Sequence, residues 1–580
     1  MKNLFRRKSI QMIFHHADIE AKGTSGMKRS LTVRDLTALG IAAIVGAGIF
    51  STIGTAAVNG GPAVSLLFVF TAIACGFSAM CYAQFASGIP ISGSAYTYAY
   101  VSFGELIAWI IGWDLIMEYA VGNIAVAISW SDYFTGLMNG IGMKIPEYMS
   151  TDFLSASRGY HKAVESLQQG IPYLQLNGGI QEAYTAWHNA PQIFGIRLIA
   201  DIPAFSIVVF ITYLVYKGIY ETKVAGNIMV ILKLAILLLV IGVGAFYVDP
   251  ANWSPFAPNG VGGVMKGVAG VFFAYIGFDA ISTTAEECKN PKKDLPRAMI
   301  YALAITTVLY VLISLVLTGM ISYSELGVGD PLAYAFAKLH LTRLSGIIAV
   351  SAIIAMASVL LVFQVGQPRI WMSMSRDGLL PKRFSKLHHK YRTPAFATII
   401  AGIIVSIPSL FLNLTEVTDL TSIGTLFAFV LVSGGVLIMD TKKLGNTLQH
   451  EGSYRVPYAN SRFLLPLIWI IVLFALFYLN AEGVFRFFDF SGVQYHNNGF
   501  WNTFKHQIPM FGFIIIAGVI TVLAIIRSFS LIPVLGLLTN LYLMTELGIT
   551  NWLRFLIWLF VGLVLYFAYG NKHSKLREKI

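Results

Sequence analysis

Fourteen apolar stretches, each about as long as the roughly 20 residues a helix needs to cross a bilayer, set the limits on what this chain can fold into. They are 36–58, 63–87, 105–139, 200–217, 224–248, 266–284, 298–323, 345–372, 395–413, 419–440, 463–486, 508–527, 530–548 and 551–570. Of the 580 residues, 56% are hydrophobic and 12% charged, against about 25% charged in soluble domains. An all-α integral membrane protein is the reading this composition permits, and a soluble enzyme is excluded. The net charge of +12 reads as basic loops on one side of a membrane rather than a nucleic-acid surface. Three cysteines, Cys75, Cys81 and Cys288, form no CxxC and no disulfide framework. The basic N-terminus has no short apolar core followed by a small-residue cleavage site, so it does not read as a secretory signal.

Basic residues test the count. They gather in the 1–35 tail, after the sixth span (Lys289, Lys292, Lys293, Arg297), after the eighth (Arg376, Lys382, Arg383, Lys386, Lys390, Arg392), after the tenth (Lys442, Lys443, Arg455) and in the 571–580 tail. Alternating spans put all of these on one side, which the positive-inside rule makes cytoplasmic. Both termini are then expected in the cytoplasm. The long 140–199 loop is expected outside, as a cap with its own short helices.

The first span reads "GIAAIVGAGIFS" over 40–51. Gly40, Gly46 and Gly48 weaken a helix by roughly 1 kcal/mol each relative to alanine. A break inside the bilayer survives only where it lines a protected cavity, because its backbone groups need partners. Amides freed there favour an anion, and freed carbonyls favour a cation. One unwound turn can therefore hold both ends of a free amino acid. A second interruption falls in the sixth span, "GVFFAYIGFDAIST" (270–283), at Gly277 and Asp279. Paired interruptions five spans apart, in helices running in opposite directions, are the mark of an inverted-repeat transporter site. Helix packing explains either glycine set alone, but not their matched spacing.

Other intramembrane groups need a role. Lys233 lies deep in the fifth span, where a lysine is costly. Pairing with freed carbonyls, and loss of that pairing with its proton, gives a route to proton coupling. Asp114 and Glu118 share one face of the third span, either as part of a proton path or as structural partners of neighbouring helices. All eleven histidines fall in tails, loops or span edges, which argues against an intramembrane enzyme. No catalytic group, cofactor or metal site is expected, and no repeated filter suggests a channel.

The stretches "GIAAIVGAGIF", "CYAQFASGIPISGSAYTYAY", "GWDLIMEYAVGNIAVAISWSDY", "FFAYIGFDAISTTAEECKNPKKDLPRAM", "GQPRIWMSMSRDGLLP" and "TNWLRFLIWLFVGLVLYFAYGNKHS" resemble the amino acid–polyamine–organocation superfamily, and within it the cationic amino acid transporter group and its bacterial relatives. The resemblance implies a LeuT-like fold of five plus five inverted spans with helices 1 and 6 discontinuous. The repeats would be 36–248 and 266–440, followed by four further helices over 463–570. It implies that Gly46, Ala47 and Gly48 offer amides to a substrate carboxylate, and that carbonyls of Ile44, Phe273, Ala274 and Ile276 receive the amino group. Phe273 would gate the site. Lys233 matches the lysine that stands where sodium-coupled relatives bind a cation, and Asp279 would support local structure. Met356 aligns with a side-chain-pocket position, where its bulk disfavours an arginine or lysine side chain. The family glutamate of "CYAEFA" is here Gln84, so any charge network it joins is altered.

The expected function is import of L-amino acids, neutral ones such as alanine, by proton-coupled symport and alternating access across the bacterial cell membrane. The alternatives are a carrier of cationic amino acids, an amino acid exchanger, or a membrane sensor that binds without moving its ligand. Expected partners are the amino acid, protons and lipid, with room for a small single-span membrane subunit.

Overall fold

The computed structural model describes residues 4–8, 31–88, 94–218, 223–391, 393–441, 454–488 and 499–577. Several expected features lie outside them: Lys442, Lys443, Arg392, most of the N-terminal tail, and residues 89–93 of the polar stretch after the second span. Among the described residues nine helices are long and apolar enough to cross a membrane, with four shorter apolar helices beside them. The chain is thus a multi-pass membrane protein.

The helices follow the apolar stretches closely. In chain order they are α1 (Val33–Ile44), α2 (Ile53–Gly60), α3 (Val64–Gly88), α4 (Ser94–Ser102), α5 (Glu105–Gly140), α6 (Phe153–Gln168), α7 (Gly178–Asn189), α8 (Ile202–Tyr216), α9 (Lys223–Gly244), α10 (Gly260–Met265), α11 (Val268–Phe273), α12 (Pro291–Met320), α13 (Pro331–Lys338), α14 (Thr342–Arg376), α15 (Ala395–Ser409), α16 (Leu414–Thr441), α17 (Ser461–Phe488), α18 (Gly499–Arg527), α19 (Leu531–Thr545) and α20 (Gly548–Leu565). The first span is split between α1 and α2. The sixth is split more deeply than its sequence predicts: α-helix ends at Phe273 and the chain resumes as a 3-10 turn over Phe278–Glu287. The 141–199 segment carries the expected short helices, α6 and α7, and a two-residue strand pair, β1 (Gln192–Ile193) with β2 (Ile196–Arg197).

Two long contacts organise the bundle: α5 along α14, and α3 along α12. Helix α9 rests on α1 and α14, while α16 rests on α11 and α5. Helices α8 and α15 pack on each other and each on both α5 and α14. This pattern maps onto itself when each of the first five spans is exchanged with the span five places on. The later helices attach to one side. Helix α19 packs on α16 and α3, and α18 on α17 and α19. The outer face of α17 leaves Phe463, Ile470, Phe474 and Tyr478 exposed, as suits a surface bathed in hydrocarbon. Helix α20 docks through aromatic rings. Trp113 stacks on Trp558 with centroids 4.5 Å apart, and the indoles of Trp109 and Trp113 donate to the carbonyls of Gly562 and Trp558, each at 2.8 Å.

At the α5 start a clasp joins both ends of the chain. Glu105 is fully buried. Its carboxylate accepts from Ser574 at 2.6 Å and Tyr566 at 2.9 Å, and its amide donates to the Arg6 carbonyl at 2.8 Å. Arg6 also donates to Asn571 at 3.2 Å. Asp377, just past α14, accepts from Lys8 at 2.5 Å and from Tyr96 at 2.7 Å. Gln84, the departure from the family pattern, accepts the amide of Val456 at 2.9 Å. Its role here is to tie the end of α3 to the chain leading into α17.

At the other end of α5, the 141–199 segment is anchored by Glu416 of α16. That carboxylate pairs with Arg158 at 2.9 Å and with Arg554 of α20 at 3.0 Å. Nearby, Asp330 sets its carboxyl against Gly136 of α5, and Asp132 of α5 rests on Gly329. Removal from water, with repulsion from Glu182 added, pushes the Asp330 carboxyl up to about 8. An unfolded aspartate titrates near ~3.9, so between these values the folded chain holds the extra proton. Stability then falls as pH rises through that window. Asp330→Asn is expected to flatten the decline in thermal unfolding temperature between about pH 5 and pH 8. An unchanged slope in detergent would refute the assignment.

Candidate substrate site between the broken helices

Helix α1 starts cleanly: the Thr32 amide donates to Asp35 at 2.9 Å. It stops at Ile44, and Val45 and Gly46 follow as a bend before helix resumes at Ala47 and runs into a π-turn over Gly48–Thr52. A π-turn is rare and marks functional positions. The last carbonyls of a helix have no partner within it; here Ile41 accepts the closing helical bond, and two carbonyls beyond it are met from other helices. Ile41 accepts the Val45 amide at 2.8 Å. Ala42 accepts the Lys233 ammonium at 2.8 Å, and Ile44 accepts the Tyr310 hydroxyl at 3.1 Å. Lys233, only 1% exposed, therefore caps a helix end as a cation should.

The sixth-span break faces this one. Residues 274–277 form a turn, and Gly277 takes φ +116°, a conformation that L side chains rarely adopt. Any Cβ there would sit 3.0 Å from the Ala43 carbonyl oxygen, so Gly277 also lets α1 come close. Gly48 lies directly on the backbone of Ala274, with no room for a side chain. Gly46 abuts Val359 of α14, one turn from Met356, which is fully buried.

The structure thus brings Ile44, Gly46, Ala47, Gly48, Phe273, Ala274 and Ile276 to one place, with Met356 and Lys233 at its edges. Phe273 is 6% exposed. The Phe273 carbonyl accepts the Ile276 amide at 3.2 Å. Asp279 turns its carboxyl back on the amides at Gly277 and Ala280. Asp114 and Glu118 are buried on one face of α5. Glu118 lies near Asp279 and beside Thr425, while both Asp114 carboxyl oxygens lack a hydrogen-bond partner among the described residues. No group of His, Cys, Asp and Glu that could hold a metal ion occurs among the described residues.

Three residues were not singled out by the sequence. Thr52 donates toward Gly48 at 2.7 Å and Gly270 at 2.9 Å. Tyr310 holds the Ile44 carbonyl, and Tyr133 of α5 donates to the Phe50 carbonyl at 2.7 Å. Thr52 stands four residues after Gly48, a spacing that places it on the same helix face and could have marked it. Nothing local marks the two tyrosines.

Residues 31–501 match the family described as amino acid permease, and residues 530–574 match the C-terminus of that family. The chain is 37% identical over 579 residues to the branched-chain amino acid permease BcaP of Bacillus subtilis (strain 168), across 99% of each chain. It is 36% identical over 579 residues to the methylthioribose transporter of the same bacterium, across 100% of each. Cationic amino acid transporter 2, vacuolar, of Arabidopsis thaliana is 34% identical over 464 residues, which are 78% of this chain and 66% of the plant protein. With the two broken helices facing each other and matches that run nearly end to end, the chain belongs to the amino acid permease family of the amino acid–polyamine–organocation superfamily.

Proposed function

We propose that this permease imports neutral L-amino acids by proton-coupled symport, gripping the zwitterion with main chain at the two breaks. Amides at Gly46, Ala47 and Gly48 meet the carboxylate. Carbonyls of Ile44, Phe273, Ala274 and Ile276 meet the ammonium, and Phe273 closes over it. The self-mapping contact pattern supports two inverted five-span repeats, 36–248 and 266–440, that rock between two access states. The four helices of 463–570 stand outside that pairing.

The observation that carries coupling is the Lys233 ammonium at 2.8 Å from the Ala42 carbonyl. Protonated, Lys233 ties α9 to the end of α1. Deprotonated, it keeps donors but loses the charge that strengthens such a bond, roughly twofold over a neutral one. The α1 end is then freer to move, which links proton release to a change of access. Neutral cargo is supported by Met356 and Val359, which present an apolar wall beside the break, and by the relative named for branched-chain amino acids. The plant relative named for cationic amino acids keeps arginine and lysine in view as competitors.

Purified protein in liposomes tests this reading. Labelled alanine should accumulate when the outside is made acidic, with leucine or valine competing better than arginine. Arginine outcompeting alanine would overturn the neutral assignment. Binding without counterflow would make the protein a sensor. Lys233→Met should lose response to an imposed pH gradient while counterflow persists, and uptake by that variant that still follows the gradient defeats the coupling role. Gly48→Leu should abolish binding, read as loss of the thermal shift that alanine produces in the wild type.

A further inference from the structure

Helices α8 and α15 are too short to cross a membrane unaided. Each has 15 residues. Such a helix spans about 22 Å, leaving roughly 8 Å of a hydrocarbon layer about 30 Å thick. The shortfall lies on the side of the 141–199 cap. At the opposite end of α8, Lys217 sits 5.5 Å from the Tyr213 ring and 5.2 Å from the Tyr391 ring, a cation and aromatic pairing typical of a membrane boundary. On the cap side the Asp201 amide donates to the Leu410 carbonyl at 3.0 Å, so the two short helices end level. A short span is met by bilayer thinning or by flanking groups.

Apolar flanking groups are present. Ile193, Phe194 and Leu198 precede α8, Phe411 and Leu412 follow α15, and all five are exposed. They continue the exposed apolar face of α8, where Val209 and Phe210 stand. Phe194 forms the tip of the β1–β2 turn, fully exposed, with φ +51° ahead of Gly195 at +78°. Asn and Gly suit that conformation, and bulky residues avoid it. Backbone strain of that kind collects at functional positions. Arg197 secures the hairpin to α7, its guanidinium 5.1 Å from the Trp187 ring.

Ile202, the first residue of α8, borders a cavity of about 280 Å³ between α8, α5 and the cap. Trp130, Phe134, Ile145, Met149 and Ser206 also line it. The Trp130 and Phe134 rings stack with centroids 4.9 Å apart. A cavity with so apolar a wall does not hold water well. The Trp130 indole N–H is shielded from solvent and meets no acceptor among the described residues. Such a donor needs an oxygen.

We propose that this cavity binds one acyl chain of a phospholipid in the cap-side leaflet, with the 192–198 hairpin sunk into the membrane interface beside it. The chain fills the groove where α8 falls short, and the ester oxygen at its head accepts from Trp130. A partner's membrane helix fits less well, because one turn, about 5.4 Å long and 10 Å across, already exceeds the cavity volume. An acyl chain is a single file of methylenes.

Purified full-length protein in phospholipid vesicles tests both parts. The native cysteines are buried, so Phe194→Cys takes up an environment-sensitive fluorophore selectively. Its emission should be shifted as in an apolar medium and quenched by phospholipids that carry a nitroxide near the head of the chain. The same label at Gln169→Cys, exposed between α6 and α7, should emit as in water. Water-like, unquenched emission at 194 overturns the sunken hairpin. For the groove, native mass spectra of wild-type protein should show a retained phospholipid that Ser206→Phe, which fills the cavity, loses. Ile145→Trp fills it from the cap should Ser206→Phe not fold. Equal retention in a folded filling variant overturns the lipid site. So does wild-type protein that holds no phospholipid, or that carries a copurifying polypeptide in its place. Neither readout uses uptake, so the site stands or falls apart from the transport reading.

Discussion

The pairing of main-chain groups inside a bilayer governs this structure. A helix interrupted at Val45 and Gly46, and another at 274–277, would leave amides and carbonyls with nothing to bond in hydrocarbon, at several kcal/mol for each group. The interruptions are tolerable because named side chains meet them. Lys233 takes the Ala42 carbonyl, Tyr310 takes Ile44, and Thr52 bridges Gly48 and Gly270. Lys233 and Tyr310 come from helices packed on α1, whereas Thr52 belongs to the broken span itself. The breaks in turn explain why small residues crowd the contact between the first and sixth spans. Without close backbone approach, each break would face a gap too wide for the other to help seal.

Much of this is legible in the sequence. The fourteen apolar stretches correspond to helical segments, because length and hydrophobicity decide membrane helices almost alone. Gly46, Gly48 and Gly277 marked the interruptions, and a deep lysine marked Lys233 as a group in need of a partner. What remained hidden depends on distance in three dimensions. Tyr310 and Tyr133 look like ordinary aromatic residues of apolar helices; only the packing of α12 and α5 aims their hydroxyls at the first span. The sixth-span break extends beyond Gly277 as 3-10 geometry over Phe278–Glu287, a segment that packs on α1. The clasp around Glu105 unites residues over four hundred positions apart, and no local pattern reports that.

The relatives sharpen the question of cargo. Identities of 37% and 36% tie this chain almost equally to proteins named for unlike molecules, a branched-chain amino acid and methylthioribose. Overall similarity therefore does not choose the cargo. On the proposed reading, a main-chain grip at Gly46–Gly48 asks little of side chains, and discrimination would fall to residues on α14 beside the break, Val359, which abuts Gly46, and Met356 one turn away.

The clasp at the α5 start has a practical side. Arg6 and Lys8 near one end of the chain, and Asn571 and Ser574 near the other, converge on Glu105 and Asp377. A purification tag or fluorescent protein fused close to either extremity would therefore crowd one shared anchor and reach the third and eighth spans through it. Reporters intended to leave the carrier undisturbed belong on long spacers, or in the loop between α6 and α7.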